Sequence, residues 1–200
     1  MLPSRGTLLD VGCGACQLTT YLAPEFEQVF AIDFSETMLA TARRRIENRG
    51  LTNMQLLSGT AQEFPRAINS ANVILSYGLL QYLTLADFGQ HLHECRRLLG
   101  NGGMVCAANI PNSALKNLYY HERLIPNQLQ FAGQLRRRIE LTRRRIVAYF
   151  QRDLLWDAIG NWFSQGDIER MAKEAGFDVE FRNSRFYEYR FHALLTPKPA

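Results

Sequence analysis

Cysteine is scarce in this chain, with four residues in 200, and no apolar run reaches the length of a membrane-spanning helix. Four cysteines in a chain of this size do not make a disulfide framework. Neither charge sign dominates, because 23 basic residues face 19 acidic ones. The first strand-like segment starts close to the N-terminus and leaves no room for a signal peptide. We therefore expect no membrane span and a reducing, cytoplasmic setting.

A glycine is also missing where a dinucleotide-binding turn needs one. The segment LLDVGCG at 8–14 runs from an apolar strand into a tight turn, with Gly12 and Gly14 in the first two positions of the GxGxxG fingerprint. Gln17 stands at the third position, which argues against a dinucleotide. A second apolar segment ends on Asp33, close to the ~20 residues after the turn at which a ribose-binding carboxylate is expected. The pattern predicts a nucleotide-type cofactor site.

The turn resembles the first motif of the class I S-adenosylmethionine-dependent methyltransferases, which reads roughly hhDhGxGxG, where h is apolar. Matching segments follow in the family's order: SGTAQEFP at 58–65, ANVILSYGLLQYL at 71–83, ECRRLLGNGGMVCAA at 94–108 and SQGDIERMAKEAGFDVEF at 164–181. Two positions depart from the family pattern, since Cys16 replaces the last glycine and Thr60 replaces an acid. The resemblance implies S-adenosylmethionine as the cofactor and methyl transfer as the reaction.

The resemblance also implies roles for individual residues around that cofactor. Gly12, Gly14 and the amides around them would hold the methionine moiety, and Asp10 would order its amino group. Asp33 would bind the ribose, and an acceptor-only carboxylate suits two hydroxyl donors. The full set of cofactor-binding residues expected is Asp10, Gly12, Cys13, Gly14, Asp33, Phe34, Met38, Ala61, Gln62 and Ser76, of which Phe34 and Met38 would flank the adenine and Ala61 and Gln62 would face its edge.

No catalytic base stands out in the sequence. Methyl transfer requires alignment and exclusion of water, and needs a base only if the acceptor must lose a proton. Many relatives carry a His pair where this chain has Gln81 and Tyr82. Weak candidates are Tyr77, Tyr82, Tyr119, Tyr120 and His121, each also interpretable as part of a pocket wall, whereas His91, His93 and His192 are interpreted as structural.

A metal site is not expected. Cys13 and Cys16 form a CxxC pair, but the pair lies inside the glycine turn, where small side chains permit close approach of a cofactor. No second CxxC or His pair is present to complete a zinc site.

Hydrophobic periodicity predicts an α/β fold. Strands are expected near 7–11, 28–32, 53–58, 71–76 and 103–109, with helices near 15–23, 35–48, 84–99 and 164–175. By the resemblance, this is a Rossmann-like, doubly wound, mostly parallel seven-stranded sheet whose last strand, from 186 to 196, is antiparallel. We expect one domain over 1–200, with 112–160 a helical insertion or cap after strand five.

The insertion carries two arginine triplets, Arg136–Arg138 and Arg143–Arg145. They are typical of a solvated helix face, of a site for an acidic acceptor, or of a surface for nucleic acid or anionic membrane. The turn after strand four lacks the Asn/Asp-Pro-Pro-aromatic and Pro-Cys motifs of base methyltransferases. We therefore expect a small-molecule acceptor, possibly acidic. An RNA methyltransferase and a degenerate, non-catalytic S-adenosylmethionine-binding protein stay open, as does the oligomeric state.

Cys16 permits one local prediction. A residue with a Cβ adopts positive φ less readily than glycine does. We therefore predict that Cys16 has an ordinary negative φ, as the first turn of a helix requires.

Overall fold

A seven-stranded sheet forms the centre of the structure, a computed structural model that describes residues 6–120 and 159–199. Its strand order is β3-β2-β1-β4-β5-β7-β6. The strands are β1 (Thr7–Val11), β2 (Gln28–Asp33), β3 (Met54–Ser58), β4 (Ala71–Tyr77), β5 (Leu99–Pro111), β6 (Phe177–Asn183) and β7 (Arg190–Pro197). The helices within the described ranges are α1 (Thr19–Leu22), α2 (Glu36–Asn48), α3 (Leu85–Leu98), α4 (Lys116–Tyr120) and α5 (Gln165–Glu174).

The directions of the strands follow from their apolar patterns. β1 and β4 are buried along most of their length, as expected for parallel strands covered on both faces. Neighbouring strands from β3 to β5 pair in parallel, and β7 runs antiparallel to both β5 and β6. The predicted mixed Rossmann-like sheet with an antiparallel last strand is confirmed.

Helix ends follow the local sequence signals. The Ser35 side chain accepts the N–H of Met38 at the start of α2, and Gly50, just past its end, has φ +62°. Ser164 and Asp167 form a capping box at the start of α5. These signals lie within a few residues of each other, which is why sequence alone reveals them.

Element boundaries differ from expectation at three places. α1 begins at Thr19 rather than near 15, because the turn before it contains left-handed residues. β5 extends over Leu99–Pro111, and β7 begins only at Arg190, since residues 184–189 form a turn. The insertion begins with a 3₁₀ turn at Ser113–Leu115 followed by α4.

The rest of the insertion lies outside the described residues. This part, 121–158, contains both arginine triplets and His121. A helical cap over 112–160, within a single domain over 1–200, therefore stays a prediction. No helix in the described ranges is long and apolar enough to cross a membrane.

The topology places a binding crevice at a defined edge of the sheet. β1 has β2 on one side and β4 on the other, so the order of the strands reverses between β1 and β4. In open α/β sheets, ligands bind beyond the carboxyl ends of the strands at such a switch point. Gly12 and Tyr77 lie at the carboxyl ends of these two strands.

Candidate active site

A cleft of about 1100 Å³ opens at this switch point. Its lining comes from the turn after β1, the end of α2, the end of β4 and the β6–β7 hairpin. The lining residues are Asp10, Gly12, Cys13, Gly14, Ala15, Gln17, Leu18, Thr19, Tyr21, Arg45, Arg49, Tyr77, Ser184, Phe186, Tyr187 and His192. This volume suits a ligand of the size of a nucleotide and a small acceptor.

Asp10 provides a buried carboxylate in the cleft. Its side chain accepts a hydrogen bond from the Thr19 hydroxyl. Burial raises the pKa of Asp10 to about 6, the Thr19 bond acts against this rise, and the negative charge of Asp33 adds to it. A cation beside Asp10 would stabilise the ionised form. The residue therefore favours a ligand with a positively charged group.

Asp33 lies at the end of β2 and joins the turn to the second strand. Its Oδ2 accepts the N–H of Gly14 at 2.8 Å, and its Oδ1 accepts the N–H of Ser35 at 2.9 Å. Each carboxylate oxygen has a second lone pair, so the two bonds leave capacity for hydroxyl donors. Ribose binding by Asp33 stays a prediction that this geometry permits.

The backbone N–H groups of the glycine turn have hydrogen-bond partners in the neighbouring strand. The N–H groups of Gly12 and Cys13 both donate to the carbonyl oxygen of Ile32, at 2.8 and 3.0 Å. The Gly14 N–H is bonded to Asp33. These three donors are used to join the turn to β2. That Gly12, Gly14 and the amides around them hold the methionine moiety stays a prediction.

The prediction for Cys16 is wrong, because its φ is +52°. Its N–H donates to the Cys13 carbonyl at 2.9 Å, which closes a tight turn, and its side chain is fully buried beside Ala31 and Ala42. A left-handed L-residue costs roughly 1–2 kcal/mol. The buried packing and the hydrogen bond keep Cys16 in this strained conformation, and α1 starts later as a result.

Cys13 is a neutral thiol in the turn. A hydrogen bond to Cys16, together with burial, raises the pKa of Cys13 far above its usual range. A thiol with a raised pKa is a poor nucleophile and metal ligand at neutral pH, because those functions need the thiolate.

The residues expected around the adenine occupy different environments. Phe34 is 79% exposed and Met38 is also exposed, so both offer apolar surface beyond the end of β2. Ala61 is buried, and the Gln62 side chain lies near Asp87 and helps to lower the pKa of that carboxyl. These four residues are not part of the cleft lining, and adenine contact by them stays a prediction.

Ser76 lies in the core rather than in the cleft. Its fully buried hydroxyl is 2.9 Å from Nε2 of His91, and His91 Nδ1 is 2.9 Å from the Ala61 carbonyl oxygen. Because a carbonyl only accepts, Nδ1 carries the proton and Ser76 donates to Nε2. The Ser76 side chain is therefore already used in joining β4 to α3, and His91 holds the Ala61 loop.

The tyrosine candidates are separated by the fold. Tyr77, at the end of β4, lines the cleft, whereas Tyr82 is 76% exposed and lies outside the lining. Tyr119 packs on Tyr189 and Trp162, with ring centroids 4.6 and 5.4 Å apart. The side chains of the remaining two candidates, Tyr120 and His121, lie outside the described part of the chain. Of the described candidates, Tyr77 is in position to contact an acceptor.

Several cleft residues were not expected from the sequence. They are Tyr21, Arg45, Arg49, Phe186, Tyr187 and His192. For His192 a weak signal exists, because side chains alternate along a strand and its neighbours Phe191 and Ala193 are apolar and buried. That alternation places His192 on the other face, but it does not reveal that a cleft lies there.

The described residues fit S-adenosylmethionine. A Cβ at Gly14 would meet no atom within 4 Å and would project into open space, so the glycine keeps the cleft clear. A Cβ at Gly12 would lie 2.8 Å from Cδ1 of Leu79. Asp10 and Asp33 place two carboxylates near the turn, and the ligand carries a sulfonium and an ammonium group. The open space at Gly14 and the two carboxylates are therefore suited to this cofactor.

Comparison with known proteins agrees with this geometry. A family described as a methyltransferase domain matches residues 8–103. The demethylmenaquinone methyltransferase of Geobacillus kaustophilus is 30% identical over 188 residues, covering 89% of this chain and 74% of the relative. That of Geobacillus stearothermophilus is 33% identical over 120 residues, which span 56% of this chain and 50% of the relative.

Solved structures establish the same fold. An S-adenosylmethionine-dependent methyltransferase from Clostridium acetobutylicum superposes with a TM-score of 0.71 at 15% identity, covering 99% of this chain and 86% of that chain. Magnesium protoporphyrin IX methyltransferase from Synechocystis, with bound S-adenosylhomocysteine, superposes with a TM-score of 0.64 at 15% identity, covering 96% of this chain and 74% of that chain.

The chain belongs to the class I S-adenosylmethionine-dependent methyltransferases.

Proposed function

We propose that the methyl acceptor is an electron-rich ring bearing oxygen, of the reduced-quinone or phenol class. The observation that carries this proposal is the aromatic side of the cleft. Tyr77, Phe186 and Tyr187 line it and keep 45%, 64% and 43% of their surfaces exposed. Exposed aromatic surface of this extent marks a binding site for an apolar partner. A flat ring would cover it.

The positions of the charged side chains support an uncharged ring at this end. Arg45 donates to the Ala15 carbonyl, and Arg49 donates to the Thr20 hydroxyl while lying 3.8 Å from the centroid of the Tyr21 ring. Both guanidiniums are thus used at the α2 end of the cleft, next to the glycine turn. An acidic acceptor held by the arginine triplets stays a separate prediction, as does the cytoplasmic setting.

The demethylmenaquinone methyltransferases among the relatives suggest which ring to test. Their name indicates a quinone that gains a methyl group. When bound beside Asp10, S-adenosylmethionine would supply an electrophilic methyl group to a ring carbon, and the proton displaced from that carbon would pass to solvent.

The chain's own residues would orient the ring and exclude water. Tyr77 lies at the carboxyl end of β4, beside the turn that holds Asp10, so a ring stacked on it lies close to the cofactor site. Phe186 and Tyr187 line the cleft from the β6–β7 hairpin. Alignment and exclusion of water are the main contributions that a protein makes to this reaction.

The test uses demethylmenaquinone with a short prenyl chain, kept reduced under anaerobic conditions, together with S-adenosylmethionine. We expect a product heavier by one CH2 unit in mass spectrometry. Tyr77→Ala should lower kcat/KM for the quinol by about tenfold, since aromatic contacts are worth roughly 0.5–1.5 kcal/mol beyond area burial. Tyr82→Ala is the matched control and should leave kcat/KM for the quinol unchanged. Methylation of carboxylic acids alone, with no product from any quinol or phenol, would contradict the proposal.

A further inference from the structure

His192 occupies a position in the cleft that the known reaction does not yet explain. It lies near the start of β7, beside the carboxyl end of β5. Its neighbours Phe191 and Ala193 are buried in the core, whereas His192 is half-buried and lines the cleft with Tyr77 and Tyr187. It therefore faces the side of the cleft where the acceptor is proposed to bind.

One hydrogen bond defines the tautomer of His192. The backbone N–H of Asn109 donates to Nδ1 at 3.0 Å. A backbone N–H can only donate, so Nδ1 carries no proton, and the neutral ring carries its proton on Nε2. Burial lowers the pKa of His192, which favours this neutral form. Within 6–120 and 159–199, no residue forms a hydrogen bond with Nε2.

The Asn109 peptide is held in an unusual conformation to make this bond. Asn109 has φ +63°, and the pairing of β5 with β7 shifts register between Ala107 and Ile110, as at a β-bulge. Arg190 Nη1 donates to the Asn109 carbonyl at 2.7 Å and its Nη2 to Gln81 Oε1 at 3.3 Å. Strained residues held in place by their surroundings cluster at functional sites.

We propose that His192 is an acceptor-binding residue whose Nε2–H donates a hydrogen bond to an oxygen of the methyl acceptor. The inference rests on the proposed function for the class of acceptor. The bulge at Asn109 holds the ring in the donor tautomer, and Arg190 braces the bulge. Because Nδ1 is occupied and Nε2 already carries a proton, His192 binds and orients the acceptor and does not act as the general base.

Two substitutions test separately the role of Nδ1, which faces the backbone, and the role of Nε2, which faces the cleft. In His192→Asn, the amide oxygen can still accept the Asn109 N–H, but the donor toward the cleft is lost. In His192→Gln, the amide nitrogen reaches close to the position of Nε2 and restores the donor, while the bond to Asn109 is lost. A purely structural role for His192 predicts that Asn is the better replacement, whereas our inference predicts that Gln is.

We expect His192→Gln to keep kcat/KM for the quinol within about threefold of wild type and His192→Asn to lose about tenfold or more, as befits one lost hydrogen bond. Both variants should bind S-adenosylhomocysteine with wild-type affinity, since His192 acts on the acceptor. The reverse order of the two variants, equal activity in both, or a loss of cofactor affinity in both would overturn the inference.

A second measurement does not depend on turnover. The ¹⁵N chemical shifts of His192 are followed while 1-naphthol is titrated into the complex with S-adenosylhomocysteine. We expect the Nε2–H tautomer and a shift of the Nε2 signal on adding naphthol. An Nδ1–H tautomer, or no shift at millimolar naphthol, would overturn the inference even if the quinol is methylated. A naphthol-dependent shift without methylation of the quinol would instead support the inference and reject the proposed acceptor.

Discussion

The backbone N–H of Gly14 donates to Oδ2 of Asp33 at 2.8 Å, which joins the glycine turn to the end of the second strand. The two residues are the principal cofactor-binding residues that the sequence predicts, and here they are also each other's partners. The carboxylate therefore has a structural role in the turn besides the expected role at the ribose. Experiments on Asp33 must separate the two.

Replacing Asp33 should weaken cofactor binding in a way that depends on the ribose. We expect Asp33→Ala to lower affinity for S-adenosylhomocysteine by on the order of a hundredfold in calorimetric titration, because hydrogen bonds to charged groups contribute roughly 1.5–3 kcal/mol. Asp33→Asn keeps an oxygen that can accept the Gly14 N–H, so this variant should lose less affinity for S-adenosylhomocysteine.

The 2′-deoxyribose analogue of the ligand isolates the ribose contact. If Asp33 binds the hydroxyls, the wild-type protein should lose affinity for the analogue, and Asp33→Ala should distinguish the two ligands less. Equal discrimination in both proteins would mean that Asp33 acts only through Gly14.

Cys16 offers a direct measure of backbone strain. Cys16→Gly removes both the buried sulfur and the Cβ, whereas Cys16→Ala removes only the sulfur. Since φ is +52°, the glycine variant should have a free energy of unfolding about 1 kcal/mol higher than the alanine variant. Urea denaturation of the pair checks this. A more stable alanine variant would contradict the left-handed conformation.

Cofactor affinity should depend on pH through Asp10. The pKa of Asp10 is raised to about 6, chiefly by burial, and a cationic ligand favours the ionised form. Affinity for S-adenosylhomocysteine should therefore rise as pH increases through about 6. Well below pH 6, the affinity should fall by close to tenfold, on the order of one pKa unit of free energy, for each pH unit.

Two variants serve as controls for Asp10. Asp10→Asn should bind more weakly and lose this pH dependence. Thr19→Val removes the hydrogen bond that lowers the pKa of Asp10, so the midpoint should move to higher pH. An unchanged midpoint in Thr19→Val would argue against Asp10 as the titrating group.

Asp10 and His91 should affect stability in opposite directions as the pH falls. Burial lowers the pKa of His91 from 6.5 to about 4, so the folded state resists protonation and its contribution to stability is lost as pH falls from 6.5 toward 4. The pKa of Asp10 is raised from 3.8 to about 6, so the folded state binds this proton more readily than the unfolded state. The contribution of Asp10 to stability is therefore lost as pH rises from 3.8 to about 6. Each effect is on the order of 3 kcal/mol, and the two offset each other in the wild-type protein.

Single substitutions should reveal each slope. His91→Gln is expected to be less stable at pH 7 but to lose less stability between pH 6.5 and 4.5 than the wild type. Asp10→Asn should lose more stability than the wild type between pH 6.5 and 4.5. Urea unfolding at the two pH values gives the comparison, and parallel slopes in all three proteins would show that neither group titrates as inferred.

The sequence by itself determined the sheet and its order of elements. Parallel strands covered on both faces must be continuously apolar, and segments such as ANVILSY carry that requirement in their composition. Ser35 and the Ser164–Asp167 pair cap the first turns of their helices through bonds between residues three positions apart. The positions of Gly14 and Asp33 predicted a cofactor site before any contact was known.

Tertiary structure alone decided how these residues are used. The Gly12 and Cys13 amides bond to Ile32, Ser76 bonds to His91, and Asn109 bonds to a histidine 83 residues away. Such bonds join strands that are distant in the chain, and a bulge in one strand changes which groups meet. Cys16 adopts a left-handed conformation for the same reason, because its burial against β2 and α2 outweighs a local preference that sequence can predict.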